Sequence, residues 1–280
     1  MLEKARYINV KGNLIDLGIP RVMGILNITP DSFYTGSRFR DKDEIVKAAE
    51  KMLTEGADFI DVGGYSSRPG ATDISPEDEK QRVLPAINYI LQEFPDTIIS
   101  VDTFRSDVAL DAVKLCGAAM VNDISGGEGD PGMFSLIAEL NVPYILMHMK
   151  GTPSTMQKNP QYNDVISEIL TWFGNKSVTL RESGVKDIII DPGFGFGKSP
   201  SHNFELLRRL SEFSVIGFPV LAGLSRKSMI WKTLDITPDD SLNGTTILNT
   251  IALLKGVNIL RVHDVKEAVE TVRLISMIRK

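Results

Sequence analysis

The sequence predicts an α/β protein built as a (β/α)8 (TIM) barrel with an N-terminal β-hairpin. Three observations carry that prediction. Eight short runs rich in Val, Ile and Leu alternate with longer amphipathic stretches along the chain. The runs are apolar nearly throughout, as in parallel strands covered on both faces. Their polar ends, Asn27, Asp61, Asp102, Asn122, His148, Asp191, Ser225 and His263, recur about every 34 residues, the length of a strand–helix unit. A chain of 280 residues is commonly one domain when it is an α/β barrel. No linker, charge run or low-complexity segment divides it, so 1–280 is expected to be a single domain. A solenoid would repeat residues as well as pattern. A doubly wound open sheet is the other fold that the alternation allows.

The elements follow in order. Residues 1–20 hold two short alternating stretches around Lys11-Gly12-Asn13, expected to form a hairpin that seals the barrel bottom. The strand runs are VMGILNIT from Val22, FIDVGG from Phe59, IISVDT from Ile98 and AMVNDI from Ala119. They continue with YILMHM from Tyr144, IIIDPG from Ile188, PVLAGLS from Pro219 and NILRVHD from Asn258. Helices are expected over Asp43 to Leu53, over Glu77 to Gln92 behind a Ser75-Pro76 cap, and over Ser106 to Leu115 before Gly117. Asp130-Pro131 is expected to open the next helix by the same cap logic. Val165, Ile166, Ile169, Leu170 and Phe173 mark one face of a helix over Asp164 to Glu182. Val265, Ala268, Val269, Val272 and Ile275 repeat that spacing near the C-terminus.

Composition excludes several classes. The chain has 42% hydrophobic and 24% charged residues, ordinary for a globular protein and unlike a disordered or collagen-like chain. A net charge of −5 argues against general nucleic-acid binding. The single cysteine, Cys116, can form neither an internal disulfide nor a cysteine-cluster metal site, and it reads as a small packed hydrophobe. No apolar stretch approaches the ~18 residues that span a membrane, and the N-terminus lacks a signal-peptide core. The expected location is the reducing cytoplasm.

The strand ends carry the chemistry. In a barrel all eight C-terminal strand ends meet at one face, where active sites are built. One strand-end Asp is readily a cap or loop bond; eight polar ends together are not. Asp102, Asn122 and Asp191 suit a planar ligand bearing several N–H donors, such as a purine, guanidine or pterin. Arg261 and His263 are two apart on a strand and point the same way, towards Asn27 where strand eight closes beside strand one. Ser225-Arg226-Lys227-Ser228 ends strand seven and opens a helix, a place where such barrels often bind phosphate. The alternative for a lone Arg226 is a salt bridge to a barrel helix. The loops DSFYTGSRFR from Asp31 and GGYSSRPGATDIS from Gly63 are longer than usual and are expected to be lids or binding loops. In DPGFGFGKS from Asp191, Phe194 or Phe196 could stack on a flat ligand.

Taken together, MGILNITPDSF from Met23, DVGGYSSRPG from Asp61, SVDTF from Ser100, VNDISGG from Val121, LMHMKGTPSTMQ from Leu146, DPGFGFGKS, AGLSRKS from Ala222 and RVHDV from Arg261 resemble the dihydropteroate synthase family over essentially the whole chain. The resemblance implies a (β/α)8 barrel, a homodimer, and the folate-pathway reaction that sulfonamide drugs block. In that reaction 6-hydroxymethyl-7,8-dihydropterin diphosphate condenses with 4-aminobenzoate and releases diphosphate, with Mg2+ as cofactor. It implies pterin-binding roles for Asp102, Asn122, Asp191 and Lys227, with Met147 and Phe196 as apolar neighbours. It implies a diphosphate pocket of Asn27, Arg261, His263 and Arg68, with Asn27 as the Mg2+ contact. It implies an aminobenzoate site of Ser66, Ser67, Arg68, Pro69, Phe33 and Ser228. Lys227, Arg261, His263 and Asp102 are the residues it implies for catalysis. Tyr65-Ser66-Ser67 stands where many members have Glu-Ser-Thr, which removes an acid from the second loop.

Three other readings stay open at this stage. A methyltetrahydrofolate-binding domain of a corrinoid methyltransferase shares the acids but expels no diphosphate. A non-catalytic pterin-binding paralogue would bind without turnover. A generic phosphate-binding barrel enzyme would need no pterin, although Lys198 and Lys227 lie outside the strands, where a Schiff-base lysine is not expected.

Overall fold

The computed structural model describes residues 7–28, 42–66 and 73–278. The N-terminal hairpin pairs β1 (Tyr7–Val10) with β2 (Asn13–Asp16). Lys11 and Gly12 both have positive φ, 51° and 86°, as a two-residue turn matched to strand twist requires. The eight barrel strands are β3 (Arg21–Asn27), β4 (Phe59–Gly63), β5 (Ile99–Asp102), β6 (Met120–Asp123), β7 (Tyr144–Met147), β8 (Ile188–Asp191), β9 (Leu221–Ala222) and β10 (Ile259–Val262). All pair in parallel, in the order β8-β7-β6-β5-β4-β3-β10-β9. A further parallel bridge, Ile190 to Val220, joins the two ends, so the barrel all but closes and the open sheet is set aside.

The helices lie outside the strands: α1 (Lys42–Glu55), α2 (Pro76–Glu93), α3 (Ser106–Lys114), α4 (Met133–Leu140), α5 (Val165–Glu182), α6 (Pro200–Arg208), α7 (Ser228–Leu234), α8 (Leu242–Leu254) and α9 (Val265–Ile278). Ser75 caps α2, its hydroxyl accepting from Asp78 N at 3.0 Å. Asp164 caps α5 in the same way, accepting from Ser167 N at 2.8 Å. Two expectations shift. The helix expected from Asp130-Pro131 starts at Met133, because the Asp130 carboxylate is taken by Gly132 N and Ser106 N and ties the loop to α3. The seventh strand shrinks to two residues. Pro219 offers no N–H, and Val220 N donates to the Asn258 side chain at 2.9 Å.

Period-two alternation divides the core in two. Outward-facing strand residues such as Val22, Ile60, Val62, Val101, Val121 and Leu146 pack under the helices. Inward-facing Met23, Phe59, Met120, Ile145, Ile189 and Ile259 form a second cluster with Ile8, Val10 and Leu17 of the hairpin. The hairpin is therefore the barrel floor, as expected, and Asn258 Nδ2 fastens it by donating to Leu17 O at 2.7 Å. Two residues further along each strand, on the same inward face, come Asp61, Asn122, Met147, Asp191 and Arg261. Cys116 is buried and unpaired. No helix among the described residues is long and apolar enough to cross a membrane.

Candidate active site

Strand register puts the polar ends side by side. Asn27 pairs with Gly63, Gly63 with Asp102 and Asp102 with Asn122; on the far side Met147 pairs with Asp191. Gly63 leaves room for this row, since a Cβ there would lie 3.3 Å from Asp102 Cβ and 3.6 Å from Asn27 Oδ1.

One buried ionic array occupies the centre. Arg261 Nε donates to Asp61 Oδ2 at 2.6 Å, and Arg261 Nη2 donates to Asp102 Oδ2 at 2.5 Å. Asn122 Nδ2 donates to the same Asp61 oxygen at 2.9 Å. Asp61 is fully buried, and its other oxygen has no partner among the described residues. Two carboxylates thus share one guanidinium. Burial, with Asp61 nearby and against the pull of Arg261, raises the Asp102 carboxyl to about 7. The acids and the cation, separate sets in the sequence, are one network in the fold.

Beside it, Asp191 accepts from Gly193 N at 2.8 Å, and burial raises its carboxyl. Lys227 is the cap residue of α7, and its ammonium lies 4.2 Å from the centre of the Phe196 ring. Burial lowers it to about 8, with Asp191 opposing. Ser225 Oγ lies 3.0 Å from His263 Nδ1 and accepts from His263 N at 3.2 Å. Desolvation, then Arg261, lowers the His263 imidazole to about 4. Ser228 opens α7 next to Lys227, Met147 is buried at the end of β7, and Ser66 is half-buried after β4. Phe33, Ser67, Arg68 and Pro69 lie outside the described residues.

Arg226 does not join the cationic cluster. Its guanidinium grips Asp264 through Nε at 3.0 Å and Nη2 at 2.8 Å, and it donates to the Asp239 carbonyl at 3.0 Å. Arg226 is thus in a salt bridge, made to the turn after β10 rather than to a barrel helix. Three further buried groups have partners that no local sequence pattern shows. Asp61 sits mid-strand before two glycines, where only the register reveals it as the hub. Lys198, 2% exposed, reaches back to His148. Glu79 on α2 is fully buried and paired with Arg105.

Mg2+ takes oxygen ligands and often keeps waters or substrate phosphates in its shell. Among the described residues no cluster of three His, Cys, Asp or Glu side chains could hold a metal. The Asn27 amide oxygen, at the rim of the strand-end row, fits an ion that brings most of its shell with a phosphorylated ligand.

A family model described as "Pterin binding enzyme" matches residues 23–263. The dihydropteroate synthase of Escherichia coli (strain K12) is 45% identical over 267 residues, covering 95% of this chain and 94% of that one. The chain belongs to the dihydropteroate synthase family. Solved structures agree. The Yersinia pestis dihydropteroate synthase in a sulfonamide drug complex superposes with a TM-score of 0.92 at 39% identity, over 98% of this chain and 99% of that one. The Xanthomonas albilineans dihydropteroate synthase with 4-aminobenzoic acid gives 0.90 at 36% identity over 98% of both chains. The aromatic ring of Tyr65 lies two residues past the end of β4. That ring meets Phe104 edge-on at 5.0 Å and lies under the Arg105 guanidinium at 5.4 Å.

Proposed function

We propose that the chain condenses 6-hydroxymethyl-7,8-dihydropterin diphosphate with 4-aminobenzoate, releasing diphosphate and forming 7,8-dihydropteroate. Family membership supports the reaction. The observation that carries the residue roles is the strand-end array, where Asp61 and Asp102 share Arg261 beside Asp191 and Lys227.

Asp102, Asn122 and Asp191 accept from or donate to the edge of the pterin, with Met147 and Phe196 against its faces. A carboxylate can take two adjacent N–H groups, and a low-dielectric site makes each bond count for more. In the reaction the bond from the pterin methylene carbon to the diphosphate oxygen breaks, and its electron pair leaves with diphosphate. The electron-rich ring disperses the positive charge at that carbon. The amine lone pair then forms the new C–N bond, and the nitrogen gives its proton to the released diphosphate or its water. No side chain needs to act as a base, because an aromatic amine is neutral and nucleophilic at pH 7. Arg261, His263 and Asn27 face the departing anion and stabilise charge as it develops. Mg2+, held by Asn27 and the diphosphate, would supply further neutralisation. Ser66, Ser67, Arg68, Pro69, Phe33 and Ser228 form the aminobenzoate site and exclude water from the cation.

On this reading the chain works as a single-domain homodimer in the cytoplasm, and sulfonamides, as amine mimics, compete for its aminobenzoate site. Mixing the enzyme with both substrates should release diphosphate in equal amount to the coupled product. Adding EDTA should suppress release, and Mg2+ should restore it. Pterin binding without diphosphate release would overturn the reading and leave a pterin-binding protein or a methyltetrahydrofolate-binding domain.

A further inference from the structure

The buried lysine of the β8–α6 loop takes no part in the chemistry above. Lys198 has one of the largest fully buried side chains in the molecule. Its ammonium lies 3.0 Å from Gly193 O, 3.0 Å from Phe196 O, 3.3 Å from His148 O and 3.1 Å from His148 Nδ1. The groups come from two loops, one after β7 and one after β8. Burial, with Lys198 beside it, drives the His148 imidazole down to about 2, so the ring is neutral; burial also lowers Lys198, to about 7, and Nζ and Nδ1 share one hydrogen bond.

The two loops also touch backbone to backbone. Gly193 has a φ of 70°, and a Cβ there would collide with the His148 carbonyl. Three carbonyl oxygens therefore converge at one point, where their dipoles repel unless a donor stands between them. A buried ammonium is costly by itself and is tolerated when its N–H groups are all engaged. The junction leads directly to the binding groups. Gly193 N donates to Asp191, and Phe196 lies against Lys227. Asn203 extends the brace, accepting from Gly195 N at 2.8 Å and donating to Lys198 O at 3.2 Å.

We infer that Lys198 is a positioning residue for the pterin half of the site: through His148 and the carbonyls of Gly193 and Phe196 it fixes the loop that presents Asp191 and Phe196. It touches no substrate. The inference rests on the proposed reaction, and the wild-type assay tests that reaction separately.

Steady-state kinetics on Lys198→Met and Lys198→Gln give the test. Both should raise KM for the pterin diphosphate tenfold or more while KM for 4-aminobenzoate stays within about twofold. Amide hydrogen exchange should quicken at Gly193, Gly195 and Gly197 and stay unchanged in the floor strands. Lys198→Arg, which keeps the charge, should recover part of the pterin KM. A variant that only weakened the fold would lower the melting temperature and shift both KM values together, or neither; either result overturns the inference. If the Lys198 variants do not fold, His148→Ala, which removes one acceptor and leaves the ammonium, decides. It should raise the pterin KM two- to fivefold with the same selectivity, and an unchanged or unselective KM would overturn the inference. If wild-type enzyme shows no turnover, the reaction assignment fails. The brace is then judged by pterin affinity in calorimetry, where an unchanged value in the folded variant overturns it.

Discussion

One oxygen of Asp61 receives both Arg261 and Asn122, and its other oxygen receives nothing from the described residues. That asymmetry makes Arg261 a structural as well as a binding residue. Removing one partner of a buried pair leaves an uncompensated charge. Arg261→Ala should therefore cost about 3–5 kcal/mol in urea unfolding, and adding Asp61→Asn should recover part of the loss. Asp102 bears on pH. Its carboxyl is raised to about 7, so it is ionised only above that value. Pterin donors need the ionised form, so pterin affinity in calorimetry should weaken by up to tenfold per pH unit below about 7, and Asp102→Asn should flatten the profile. The same shift acts oppositely on stability. The folded protein holds this proton more tightly than the unfolded chain, so the Asp102 contribution falls as pH rises from about 4 to about 7. Asp191→Asn swaps a two-oxygen acceptor for a half-donating amide and should weaken pterin binding at least tenfold. Asp102, Asn122 and Asp191 were legible because they end apolar runs. Asp61 was seen as a strand end, but its partners lie 61 and 200 residues away in sequence, and no local pattern reports them.

At the scale of elements, local rules carried most of the pattern. Alternating apolar runs and helical spacing placed all eight strands and the faces of α5 and α9, since burial on both strand faces leaves a continuous apolar signature. The Ser75 cap was visible in the sequence and is made as expected. Ser75→Ala should cost about 1 kcal/mol in thermal or urea unfolding. Two elements escaped because side chains far off in sequence replaced backbone partners. Asn258 takes over the ladder at the start of β9, and Asp130 spends its carboxylate on α3 rather than on a cap. Arg226 belongs here too. Its backbone is left-handed, with a φ of 54°, and its side chain locks the loop after β9 to the turn after β10, which a charge count read as part of the site.

For the whole molecule, a net charge of −5 conceals a mouth in which Lys227 and Arg261 stand among acids. The outer surface carries its own message. Leu234 at the end of α7, with Ile247 and Leu254 on α8, are each more than half exposed. Such exposed apolar side chains fit the homodimer expected of the family. Sedimentation should give twice the 30.9 kDa chain mass, and Ile247→Glu should shift the population to monomer. The hairpin floor has one last consequence. It packs one end of the barrel shut, so the described binding groups lie toward the opposite, C-terminal end of the strands. The groups assigned to the pterin stand one step above that floor. On the proposed reaction the hairpin leaves the pterin groups no approach through the floor, so substrates arrive and products leave by the end opposite the hairpin.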